Sequence, residues 1–273
     1  MSSILHTDEI AWLRQHAWSW HGANQASVVA AQPASYGGRG SEPELIRRYR
    51  PGDDIRWVDW PATMRMQHAM VRQPQPMQQG TVRIILDTSA SMTNFPDKWR
   101  AALRAVAAVG VMVIAQLNRI ELVLPTQRVM SAHQPVWLTQ CDALLHQVPD
   151  APFDFPDVLP FSPQPAIFCS DMWSEQWQTQ VRQFADSTTQ GLCLQVLDIS
   201  EVAPALMGEI TLVDSESRIQ RTLTIDEAIL QRYHTAYQQH IQHIQQTCAQ
   251  CGLRYMQLNS TDDVLRAMVE VSS

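Results

Sequence analysis

A chain of 273 residues with 45% hydrophobic content is long enough for one large or two modest domains and apolar enough to bury a core, which excludes wholesale disorder. Its 20 basic and 27 acidic residues leave a formal net charge of −7, a balance that argues against a general binder of nucleic acid or of an anionic membrane. Five cysteines scattered through apolar or helical contexts do not resemble a disulfide framework, and Lys98 is the only lysine among the basic residues.

From the start, Thr7 reads as the N-cap of an amphipathic helix over Asp8 to Trp20 that carries Trp12, Trp18 and Trp20 as core anchors. Asp8, Glu9 and Arg14 interrupt this stretch, so it is not a signal peptide. Tyr36 to Gly40 reads as a flexible connection. It leads through Glu44–Arg50 to the turn Pro51-Gly52-Asp53-Asp54, which caps a short helix, and on to Ile55–Trp60.

Beyond residue 80 the pattern alternates between strands and helices. Val82–Leu86, Ile120–Leu124, Ala166–Ser170, Leu192–Leu197 and Arg254–Leu258 are short apolar runs suited to buried strands. Pro96–Leu117, Val136–Val148, Ser174–Ala185, a long segment from Asp226 to about Cys251, and a closing stretch from Thr261 read as helices. Helices of this length between strands imply an α/β fold, with a mostly parallel sheet covered on both faces. Ile210–Thr224 reads as a hairpin inserted before the last long helix. The longest apolar run, Ala105–Ala115, falls short of the roughly 20 residues that cross a bilayer, so no transmembrane segment is expected and a cytoplasmic, soluble protein is the simplest reading.

In open α/β sheets, ligands gather at the carboxyl ends of the strands. Asp87 follows the first apolar strand and Asp171 the third, while Ser89 and Ser91 alternate with Asp87 along one loop. One carboxylate and two hydroxyls suit a hard, oxygen-seeking cation that keeps open positions. The plainer reading is that Asp87 and the serines satisfy backbone amides in a turn, with Asp171 capping the next helix.

Asp87-Thr88-Ser89-Ala90-Ser91 resembles the metal-ion-dependent adhesion site of von Willebrand factor type A domains. The ordered set of Gly38-Arg39-Gly40, Arg48 to Trp60 (RYRPGDDIRWVDW), Leu86 to Met92 (LDTSASM), Ser170-Asp171, Arg232-Tyr233, Cys251-Gly252 and Thr261-Asp262-Asp263 resembles domain-of-unknown-function family 58. That resemblance implies a von Willebrand A-like, Rossmann-type domain over residues 79–273 with a hairpin insertion near 208–225, preceded by an N-terminal helix and Arg/Asp-rich segment over residues 1–78. It also implies Asp87, Ser89, Ser91 and Asp171 as ligands of Mg²⁺, and a protein partner: a MoxR-type AAA+ ATPase or its client. The chain departs from the adhesion-site pattern where a second loop supplies a threonine. Val148–Pro165 holds six prolines and no Thr-Asp-Leu-like string, which makes the site degenerate.

The cluster of Arg47, Arg48, Arg50, Arg56, Asp53, Asp54 and Asp59 invites a catalytic or phosphate-binding reading, but the favoured one is an ion-pair lock that holds the N-terminal segment to the sheet domain, with Trp57 and Trp60 packed beneath it. Cys248 and Cys251, with His240 and His243, read as a helix face and not a zinc site. His240 and Cys251 lie roughly 16 Å apart along a helix, and no second cysteine pair completes the ligand set. Two functions remain. One is a non-enzymatic interaction module at Asp87, Ser89, Ser91 and Asp171; the other is a Mg²⁺-dependent phosphohydrolase with Asp87 as nucleophile. Against the second, Ser89 stands where an acid/base aspartate is wanted, and Lys98 lies inside a helix. No phosphate-binding Gly-Lys loop is present, so any ATP hydrolysis belongs to a partner.

Overall fold

The computed structural model describes residues 3–16, 18, 44–49, 56, 58–74, 80–116, 118–125, 128–146, 163–213 and 219–272. They fall into two compact units, one of Met1–His21 with Thr81–Ser273 and one of Gly22–Gly80.

The larger unit is a mixed α/β fold. Its helices are α1 (Thr7–Leu13), then α3 (Ala90–Thr93), α4 (Pro96–Ala115), α5 (Gln134–His146), α6 (Trp177–Ser187), α7 (Ile199–Val202), α8 (Glu227–Gln250) and α9 (Val264–Ser272). Its strands are β3 (Thr81–Leu86), β4 (Arg119–Val123), β5 (Arg128–Ser131), β6 (Gln164–Ser170), β7 (Thr188–Leu197) and β10 (Arg254–Asn259), with a separate ribbon of β8 (Gly208–Val213) and β9 (Gln220–Ile225). The six-stranded sheet runs β10-β7-β6-β3-β4-β5, parallel except for the antiparallel β4–β5 pair at one edge.

Alternation along the strands sends side chains to two cores. Val82, Ile84 and Leu86 meet α4, α5 and α9 on one face, while Ile85 and Phe168 meet α6 and α8 on the other. Helix α4 is apolar nearly all round because it is enclosed: the sheet lies on one side and α1, α5 and α9 on others. Arg83 and Glu121 face each other across the β3–β4 ladder and close a buried ion pair at 2.7 Å.

The N-terminal helix is shorter than expected and starts one residue away. His6 occupies the N-cap position, where its backbone amide donates to Glu9 Oε2 at 2.7 Å, and the helix ends at Leu13 instead of Trp20. Trp18 is buried as an anchor, whereas Trp12 is exposed. The segment belongs to the sheet unit and not with the residues up to 78. Ile4 N donates to Asp142 Oδ1 at 2.6 Å, and Arg104 donates both to Ile4 O at 2.9 Å and to Glu9 Oε1 at 2.6 Å.

In the smaller unit, β1 (Glu44–Arg48) pairs antiparallel with β2 (Met70–Pro74), and α2 (Trp60–Met66) lies between them in sequence. Asp59 caps α2 by accepting from Ala62 N at 3.0 Å. Of the expected ion-pair lock, Arg50, Asp53, Asp54, Trp57 and the side chain of Arg47 lie outside the described residues. Trp60, expected beneath the lock, is 64% exposed.

Candidate functional site

The chain runs from β3 outward through β4 to β5, then returns to β6 on the opposite side of β3 and continues to β7 and β10. The adjacent strands β3 and β6 therefore bound the point where the direction of winding reverses, and their carboxyl ends open the crevice where such sheets hold ligands. The register pairs Leu86 with Cys169, which sets Asp87 opposite Ser170 and places Asp171 one residue further along the same rim.

All four residues expected at the site meet here. Ser170 Oγ donates to Asp87 Oδ2 at 2.6 Å, and Ser89 N donates to Asp87 Oδ1 at 2.8 Å. The Ser89 and Ser91 hydroxyls are 3.0 Å apart at the start of α3, and both residues are partly exposed. Asp171 is not the cap of the next helix: α6 begins at Trp177 after Gln176, and Asp171 Oδ1 accepts from Trp173 N at 3.1 Å. The carboxylates are not at a solvent-facing rim, however. Asp87 is 4% exposed and Asp171 1%, so only the serine edge of the loop reaches water. Burial, with the negative charge of Asp171 second, pushes the Asp87 carboxyl up to about 6, against the hydrogen bonds from Ser170 and Ser89.

The residue that the sequence did not place is Lys98. It lies in the first turns of α4, fully buried, and its ammonium reaches back under the loop. Its Nζ donates to Asp171 Oδ2 at 2.8 Å, Glu201 Oε1 at 2.9 Å and Ser91 O at 3.2 Å. An ammonium has three N–H donors, and all three are used. Glu201 is set by α7: its other oxygen accepts from Asp198 N at 2.7 Å, and its backbone carbonyl accepts from the Tyr233 hydroxyl on α8. Burial raises the Glu201 carboxyl while the Lys98 charge opposes that rise. The usable signal was composition: Lys98 is the one lysine among 20 basic residues, and an ammonium and a guanidinium are not interchangeable.

Beside the crevice, Met172 adopts a left-handed backbone (φ 59°) that turns the chain away from β6. Its carbonyl lies 3.0 Å from His240 Nε2, which must carry the proton, and the His240 ring stacks on Trp173 with centroids 4.7 Å apart. Gln195 Nε2 donates to Asp171 O at 2.8 Å, and Tyr255 donates to Gln195 Oε1 at 2.6 Å, so polar partners from β7 and β10 fix the Asp171 backbone.

The arrangement fits a divalent cation poorly. Each oxygen of Asp87 and Asp171 already accepts a hydrogen bond from within the chain, and one of these donors is a cation. Among the described residues, no group of three or more His, Cys, Asp or Glu side chains is arranged to hold a metal ion. The second-loop region falls largely on residues 147–162, outside the described residues. Cys248 is buried on α8, and Cys251, partly buried, is the C-cap residue that follows the helix.

Residues 45–136 match the family model described as "Protein of unknown function DUF58". The DUF58 match carries Asp87, Ser89, Ser91 and Lys98 and ends before Asp171 and Glu201. Among curated relatives, an uncharacterized protein of Mycobacterium bovis and one of Mycobacterium tuberculosis are each 28% identical over 254 residues, covering 85% of this chain and 78% of their own length. Among solved structures, an aerotolerance-related membrane protein from Bacteroides fragilis, carrying multiple mutations to serines, is 12% identical with a TM-score of 0.39. It covers 70% of this chain and 96% of its own. BatB from Bacteroides thetaiotaomicron covers the same shares, at 13% identity and a TM-score of 0.36. Among the described residues no helix is long and apolar enough to cross a membrane.

Proposed function

We propose that this chain is a non-enzymatic protein-interaction module of the von Willebrand A-like kind, docking a partner at the strand-end rim around Asp87, Ser89, Ser91 and Asp171. The observation that carries this reading is the meeting of both aspartates and both serines at the reversal point of the sheet, with the serine edge reachable from outside. The buried groups beneath hold that edge in one geometry, and pre-set polar groups lose little freedom when a partner arrives. The partner implied by the DUF58 resemblance is a MoxR-type AAA+ ATPase or its client, with this chain acting as adaptor in the cytoplasm.

The alternative, a Mg²⁺-dependent phosphohydrolase, requires an Asp87 oxygen free to attack phosphorus. Burial of Asp87 and the donors on both of its oxygens favour the docking reading. Binding of the purified MoxR-type ATPase from the same organism, followed by interferometry, tests it. Replacing Ser89 and Ser91 together by alanine should weaken binding about tenfold or more, roughly 1.4 kcal/mol, with an unchanged circular dichroism spectrum. Unaltered affinity would move the docking surface elsewhere, and Mg²⁺-dependent phosphatase activity abolished by Asp87→Asn would reinstate the enzyme.

A further inference from the structure

We infer that the Lys98 ammonium is itself the resident cation of the strand-end site, standing where a divalent ion would otherwise sit. The inference rests on the docking reading only in taking this rim as the functional site; the identity of its cation is a separate question.

Three observations carry it. First, Lys98 is 0% exposed, and its Nζ is held by oxygens from three separate elements: Asp171 after β6, Glu201 in α7 and the Ser91 carbonyl in α3. A small positive centre ringed by oxygens of two carboxylates and a carbonyl has the ligand chemistry of a hard cation, with a covalent tether in place of coordination. Second, the neighbouring carboxylate is already engaged on both oxygens, because Asp87 accepts from Ser89 N and Ser170 Oγ. Third, this is the only lysine in a chain with 20 basic residues. Arginine serves every other basic position, but its planar fork cannot replace a compact point charge converging on three oxygens. A free Mg²⁺ entering this cluster would have to displace the ammonium or sit against it, and like charges at that range repel strongly in a buried site.

The test is a titration of Mn²⁺ followed by electron paramagnetic resonance, with the full chain and Mn²⁺ as the probe. Wild type should leave the free-ion signal undiminished up to about 1 mM, the weak end of protein cation sites. Lys98→Met should bind one Mn²⁺ per chain and melt at higher temperature with the ion than with chelator, and both effects should vanish when Asp171→Asn is added. Stoichiometric binding by wild type, lost in Asp171→Asn, would overturn the inference. So would a folded Lys98→Met that binds no ion. If Lys98→Met unfolds in chelator, refolding with Mn²⁺ decides: recovery supports the inference, and failure of both Lys98→Met and Lys98→Ala to recover overturns it. None of these readouts involves the ATPase, so a failed docking assay beside a positive ion result would sink the docking reading alone.

Discussion

At the scale of single residues, the site is a set of buried charges, and the protonation of Asp87 is linked to folding. Asp87 is the clearest case, with its carboxyl raised from 3.8 to about 6. The folded chain holds that proton more tightly than the unfolded chain, so the Asp87 contribution to stability is fully present below pH 3.8 and is lost as pH rises to about 6. Above that pH the buried charge costs on the order of 3 kcal/mol. An asparagine side chain does not titrate, so urea denaturation of wild type and Asp87→Asn should show wild type gaining about 1 kcal/mol relative to the variant between pH 7 and pH 5. A constant difference across that range would mean that Asp87 is not buried as a charge. The sequence located Asp87, Ser89, Ser91 and Asp171 because strand ends and short spacings are visible in one dimension. It could not reveal that Lys98 and Glu201 join them, since Lys98 is seven residues from Ser91 and 103 from Glu201 and meets both only through the packing of α4 and α7. Nor could it show that the carboxylates are sealed, because burial belongs to the assembled loops.

At the scale of elements, helix α4 depends on small residues for its central place. A methyl group on Gly110 would fall 1.9 Å from Trp137 Nε1 on α5, and that indole already donates to Ala107 O at 3.3 Å. Alanine favours helix over glycine by about 1 kcal/mol in open surroundings. Here overpacking should win, and Gly110→Ala should lose about 1–3 kcal/mol in chemical denaturation. A stabilised variant would show that α5 can move away from α4 without penalty. The strands that apolar runs predicted, β3, β4, β6, β7 and β10, each send side chains into one or both cores, and the inserted ribbon β8–β9 also stands near its expected bounds. Strand β5 escaped because Arg128–Ser131 is only four residues at an exposed edge, where neither a long apolar run nor a clear alternation develops. The helical reading to Trp20 misled for another reason: the tryptophans of an amphipathic segment were expected as core anchors on one helix, yet Trp12 is exposed, and the helix has stopped before the buried Trp18.

Across the whole molecule, stability is spread unevenly. The sheet of the larger unit carries both cores, whereas β8–β9, among the described residues, is a two-stranded ribbon paired only with itself and mostly exposed, with Leu212 and Leu223 open to solvent. Isolated ribbons of this kind are marginal in water. Native-state amide exchange should therefore run at least about two orders of magnitude faster at Ile210–Leu212 and Thr222–Thr224 than at Ile84, Phe168 and Leu194. Equal protection would mean that the ribbon is covered in solution. The burial of Lys98 has a practical corollary for anyone mapping this protein's contacts. With that side chain enclosed and no other lysine in these 273 residues, no side-chain amine is open to an N-hydroxysuccinimide ester. Amine-directed crosslinking will be blind to nearly the whole surface, and reagents aimed at carboxyl or phenol groups are the ones that can chart a docked complex.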